Sequence, residues 1–134
     1  MPSLDTNVLV RWLIDDDAAQ TSQVKKILDT AEDDSLFVPC TVILELEWVL
    51  RSRYQFDKNK ILQALTALLE TRELSLQGEA AIELALYLYR DSTAEFADCL
   101  DVGLTATAER SPLLTFDRKA AKLAGVKLIG ARLG

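Results

Sequence analysis

Carboxylates are the residues of this 134-residue chain best suited to chemistry. Four stand out by their setting: Asp5, Glu45, Asp98 and Asp117. Asp5 follows a very short apolar segment and precedes Thr6 and Asn7 in "LDTNVLV". Glu45 lies in "TVILELEWVLRSR", where its helical neighbours Thr41, Val42, Trp48 and Val49 include no base. Glu47, by contrast, has Arg51 at i+4 and reads as an ordinary surface pair. Asp98 has Glu95 and Asp101 three residues to either side and no Lys or Arg within four positions. Asp117 follows "LLTF". Each acid also has an ordinary explanation: a turn residue, a glutamate reaching water, a solvated acidic face, an N-cap. Gathered from four separated segments into one pocket, they would repel one another strongly without a cation.

Composition narrows the chemistry. The chain has no histidine, which excludes Ser-His-Asp and Cys-His catalysis and any nuclease that uses imidazoles as acid and base. Two cysteines, Cys40 and Cys99, cannot supply the three or four soft ligands a zinc site wants. Any metal would be held by oxygen, which points to Mg²⁺ or Mn²⁺. A net charge of −6 disfavours bulk electrostatic binding of nucleic acid but leaves room for bound cations and a local basic patch. Arg118, Lys119 and Lys122, beside Asp117, are candidate phosphate contacts or a plain solvated face. Arg11 is expected to meet a substrate or to pair with one of the acids at 15–17. No apolar run is long enough to span a membrane, and no basic segment with an apolar run marks a signal. A cytoplasmic protein with reduced thiols and no membrane association is expected, in a single domain over residues 1–134.

The elements that must position these acids alternate. Short apolar strands are predicted at "PSL", "LFV" (36–38), "LSL" (74–76), "PLLT" and "VKLI". Between them fall helices opening at "VLVRWLI", over roughly 17–32, in "TVILELEWVLRSR", "KNKILQALTALLETR", "EAAIELALYLYR", "TAEFADCLDVGLTATAER" with Thr93 as cap, and "DRKAAKLA" ended by Gly125. The alternation predicts an α/β layered fold with a parallel sheet. In such folds the active groups lie beyond the carboxyl ends of strands. Asp5 ends the first strand, and Thr115 and Asp117 end the fourth.

The stretches "LDTNVLVRWL", "CTVILELEWVLRSRY", "EFADCLD" and "LLTFDRKAAKLAGVKLI" together resemble the PIN-domain family, and within it the VapC toxins of bacterial toxin–antitoxin pairs. The similarity runs from Leu4 to Ile129. It implies a three-layer α/β/α fold with a short parallel sheet of order 3-2-1-4-5, strands counted along the chain from "PSL". It implies a Mg²⁺- or Mn²⁺-dependent ribonuclease whose family acids map to Asp5, Glu45, Asp98 and Asp117, with Asn7 and Thr115 in supporting positions. Glu95 stands where many relatives have Asp, and Asp101 where they usually have an apolar residue. A VapB-like antitoxin and toxin dimers are implied as partners, beside the RNA substrate.

On that reading Asp5 and Asp98 are the expected direct or water-bridged ligands, with Glu45 and Asp117 positioning water or completing a second metal site. Water attacking phosphorus in line would leave a 5′-phosphate and a 3′-hydroxyl. Two other classes fit less well. A Mg²⁺-binding phosphoacceptor domain would place an acid pair after the first strand and an Asp after a middle one, whereas Asp5 is alone and no Asp ends "LFV" or "LSL". A catalytically inactive interaction module would have no use for four retained acids.

Overall fold

The computed structural model describes residues 1–130 and divides the chain into two compact units, with the boundary between Gln77 and Gly78.

In the first unit, helix α1 (Thr6–Leu13) starts directly after Asp5, whose carboxylate caps it. Helix α2 (Ala18–Thr30) is capped by Asp17, whose side chain accepts the Gln20 N–H. Strand β1 (Leu36–Val38) leads through Pro39 into helix α3 (Cys40–Ser52). Helix α4 (Lys58–Leu69), capped by Asp57, is followed by strand β2 (Leu74–Leu76). β1 and β2 pair in parallel, Phe37 opposite Ser75. Helix α1 packs on α2 and α3, and α3 on α4. Leu9, Ile43, Leu46, Leu50, Ile61, Leu65 and Leu68 are fully buried. Each such side chain removed from water is worth about 1.5–3 kcal/mol, so this stripe-on-stripe packing is what holds the acid-bearing starts of α1 and α3 in place.

In the second unit, Gly78 opens helix α5 (Glu79–Arg90) from a left-handed backbone, φ +69°, that suits glycine. α5 packs against helix α6 (Phe96–Thr107). The two backbones approach so closely that a Cβ at Gly103 would overlap the Ala81 carbonyl. Tyr89 and Phe96 meet edge to face, with centroids 5.6 Å apart. Strands β3 (Leu113–Thr115) and β4 (Val126–Leu128) pair in parallel, Thr115 opposite Leu128.

The α/β class is as expected. The sheet is not. Among the described residues, two two-stranded parallel sheets stand where one five-stranded sheet of order 3-2-1-4-5 was expected. Within each, the neighbours are those the expected order gives. The predicted first strand shrinks to a single parallel bridge, Ser3 to Phe37. Pro2 has no N–H to offer, so the segment contributes only its carbonyl to Phe37 N–H, 2.9 Å, and the Leu4 N–H to Phe37 O, 2.8 Å. The predicted helix over "DRKAAKLA" is one 3-10 turn, Ala120–Lys122, stopped at Gly125, φ +85°. Thr93 does not cap α6. The N-cap position is Glu95, without a side-chain bond, and Ser92 Oγ accepts the Ala94 N–H instead.

Candidate active site

The first unit presents an open cleft of about 290 Å³ lined by Asp5, Thr6, Asn7, Thr41, Val42 and Glu45. Two helix starts build it. Asp5 Oδ1 accepts the Val8 N–H at 3.1 Å and so spends one oxygen on the α1 cap. Its second oxygen has no partner among the described residues. The cap therefore leaves one carboxylate oxygen of Asp5 unspent. Asn7 follows in the first turn of α1, and Thr41 and Glu45 sit one turn apart on α3.

Glu45 is exposed into this cleft, while Glu47 is the buried acid, only 3% exposed. The sequence pattern puts Glu47 at the surface and leaves Glu45 open between the apolar stripe and water. Glu47 tolerates burial because Arg51 lies beside it, Nε to Oε2 at 2.8 Å and a second guanidinium nitrogen to Oε1 at 3.4 Å. Glu47 keeps the expected Arg51 partner but not the expected surface place, and Thr41 is a lining hydroxyl that the sequence did not single out. The signal for Thr41 was its place at i−4 from Glu45.

Arg11 is paired. It donates to Asp16 Oδ1 at 2.8 Å and to Gln20 Oε1 at 2.6 Å, and Tyr54 donates to Asp16 Oδ2 at 3.0 Å. Contact with the Tyr54 hydroxyl, then the charges of Asp16 and Asp17, raise its pKa above the ordinary value. Of its two expected roles, the described geometry has it in the pair with an acid.

The second unit holds the other acids. Asp98 stands in the first turn of α6, where the helix dipole favours an anion by about 0.3–1 kcal/mol. Its pKa is nonetheless raised, by burial first, then by Asp117, Glu95 and Asp101. Burial and three like charges outweigh the dipole. The Asp98 carboxylate has no hydrogen-bond donor or cation among the described residues. Asp101 meets solvent, yet the protein beside it displaces enough water to raise its pKa too. Asp117 Oδ1 accepts the backbone N–H of Lys119 at 2.8 Å and of Ala120 at 3.2 Å. One oxygen of Asp117 is therefore engaged by the two amides that lead into the 3-10 turn. Thr115 Oγ1 accepts the Asp117 N–H at 3.0 Å and fixes the bend after β3. Arg118, Lys119 and Lys122 are exposed and unpaired among the described residues.

A family model for the PIN domain matches residues 3–126. The chain belongs to the PIN-domain family. Among PIN-domain relatives it is similar to a VapC ribonuclease of Aquifex aeolicus (strain VF5), 27% identical over 128 residues and 92% of each chain. Among solved structures it is similar to one described as a toxin-antitoxin complex from Klebsiella pneumoniae, with 15% identity over 95% of this chain and 96% of that one and a TM-score of 0.38.

The donor set of this PIN domain suits a hard divalent cation: carboxylate, amide and hydroxyl oxygens, with no imidazole and with Cys99 buried. Among the described residues no three Cys, Asp or Glu form a ready-made metal-holding group. The fit is therefore to an ion that takes one or two carboxylates and keeps its water, as Mg²⁺ does, and not to one that needs an all-protein cage.

Proposed function

We propose that this PIN domain is a divalent-cation-dependent endoribonuclease of the VapC kind, the toxin of a toxin–antitoxin pair. The observation that carries the metal dependence is Asp98, a partly buried carboxylate with no counter-ion, raised by burial and by Asp117, Glu95 and Asp101. A group of anions left uncompensated is costly unless a cation joins it. The 27% identity to a VapC ribonuclease supports RNA as the polymer.

The resemblance to VapC toxins implies Asp5, Asp98 and Asp117 as the acids that would hold Mg²⁺ or Mn²⁺, one or two of them directly and the rest through water. When bound, the cation activates water and offsets negative charge on the phosphate. Asp5 is held rigidly by its own cap bond, so its outer oxygen is aimed without further loss of side-chain freedom. Asp117 is aimed in the same way, with Thr115 bracing its backbone. Glu45, exposed in the cleft and unpaired, is placed to orient water or accept its proton. Glu95 adds to the negative field around Asp98. Exposed Arg118, Lys119 and Lys122 are the cations available to RNA phosphates. A VapB-like antitoxin and a toxin dimer, both implied by the resemblance to VapC toxins, belong to the same proposal.

The test is cleavage of a mixed RNA pool with Mg²⁺ or Mn²⁺, and its loss in EDTA. Products are expected to carry a 5′-phosphate and a 3′-hydroxyl. Cleavage that persists in EDTA, or RNA left whole by the wild-type chain with either cation, overturns the proposal. Co-purification of a small partner from the native host checks the antitoxin.

A further inference from the structure

The stretch 111–130 inverts the charge of the protein. It carries Arg118, Lys119, Lys122 and Lys127 against one acid, Asp117, in a chain of net charge −6. It also leaves large apolar side chains in water: Leu114 is 57% exposed and Phe116 64%. Leu114 and Lys127 are register partners in the β3–β4 ladder and so share a face. Phe116 and Ile129 each follow two residues on, and the ladder reaches them through the Ile129 N–H to Thr115 O, 2.7 Å. The lysines and arginine form no ion pair among the described residues.

We propose that this face is a platform for single-stranded RNA, on which Phe116 stacks against a base while Lys127 and Arg118 take the flanking phosphates. An exposed aromatic ring between unpaired cations has the two features such a strand needs, a flat π surface and positive charge along its path. The cations select the occupant. A purely apolar protein surface would leave four charges unanswered, whereas a polyanion answers them and gains the ring. Phe116 precedes Asp117 in the chain, so a stacked base registers the strand beside one of the proposed metal-binding acids. The platform rests on the reading of the chain as an enzyme acting on RNA.

The probe is a fluorescein-labelled single-stranded oligoribonucleotide, followed by anisotropy in EDTA with the Asp98→Asn protein as parent. Phe116→Leu is expected to weaken binding roughly tenfold, whereas Phe116→Trp keeps it within about twofold. Lys127→Ala is expected to reduce the slope of log affinity against log salt by about 0.7, the release of one phosphate contact on a single strand. Several outcomes overturn the platform. They are a parent that binds no RNA, Phe116→Leu bound as tightly as parent, and equal weakening by Leu and Trp. A change in sedimentation with Phe116→Leu also overturns it, because the face would then hold a second copy of the chain. Failure of the nuclease reading is separable. Wild-type protein that cuts nothing while Phe116→Leu still weakens binding keeps the platform. Wild-type protein that cuts RNA while Phe116→Leu binds and cuts as before removes the platform alone.

Discussion

The two units handle their acids differently. In the first, Asp5 and Glu45 face an open cleft among Thr6, Asn7 and Thr41, each with water and polar neighbours at hand. In the second, Asp98 is partly buried and meets Asp117, Glu95 and Asp101. One group is made ready by aim, the other by crowding. Aim costs little stability, because the oxygen that fixes Asp5 also caps a helix. Crowding costs stability in the absence of a cation, because three like charges and lost hydration bear on one carboxylate.

The largest effect that separates the two groups should come from amide substitutions. Asp98→Asn is expected to reduce cleavage by at least about 100-fold, the equivalent of roughly 3 kcal/mol of charge stabilisation. The same change should raise the melting temperature of the metal-free protein, since it removes one member of the repelling group. Glu45→Gln is expected to impair cleavage without that gain. Equal melting shifts for the two variants, read by calorimetry in EDTA, would erase the distinction.

Gly103→Ala probes the scaffold of the crowded group. The added methyl meets the Ala81 backbone, which has no flexible end to swing aside. Overpacking of this kind costs about 1–3 kcal/mol, and urea unfolding should record it at the helix pair that carries Asp98.

A smaller effect sharpens the role of Asp5. Asp5→Asn keeps an oxygen for the Val8 N–H, whereas Asp5→Ala loses it. The alanine variant should be less stable by about 1 kcal/mol and the asparagine variant near wild type, with both inactive. Equal stability would show that the cap is not the source of the aim.

The smallest effect is in pH. Because the folded pKa of Asp98 lies above its unfolded value, the native state holds its proton more tightly. The penalty is fully present above the raised pKa and is relieved as pH falls through it toward the ordinary carboxylate value of about 3.9. Metal-free protein should therefore gain stability from this group on mild acidification, and Asp98→Asn should lose that component. A metal-free wild type whose pH profile matches that of Asp98→Asn would remove crowding as the source of the penalty.

Much of this was legible in the residues themselves. Helices α1 to α6 follow apolar spacing, and α1, α2 and α4 also their capping aspartates Asp5, Asp17 and Asp57, because both are local properties of the chain. Glu45 and Asp98 were marked by what they lacked, a base one turn away, and Asp5 and Asp117 by their place at strand ends; Asp98 kept its distinction in three dimensions. The short segments were harder to read. "PSL" is three residues with a proline, so its pairing depends on the Phe37 backbone and stops at one bridge. "DRKAAKLA" has helical composition, yet the backbone turns extended at Leu123, with Gly125 at φ +85° close behind, and the segment ends after one 3-10 turn.

The sequence by itself determined the chemistry available here: no imidazole, two thiols, an excess of carboxylates, and hence oxygen ligands or none. Only the tertiary structure decided which carboxylates are free to use it. Glu45 and Glu47 are two residues apart on one helix; the i+4 base gave Glu47 a surface reading it does not keep, and the sequence left Glu45 open between the apolar stripe and water. Packing of α3 turned Glu47 inward to Arg51 and left Glu45 in the cleft with Asp5. Burial raises both Asp98 and Asp101, but only at Asp98 do the charges of Asp117, Glu95 and Asp101 add to it. Desolvation and the charge of neighbours distant in sequence are properties of a packed surface, and no local stretch of residues contains them.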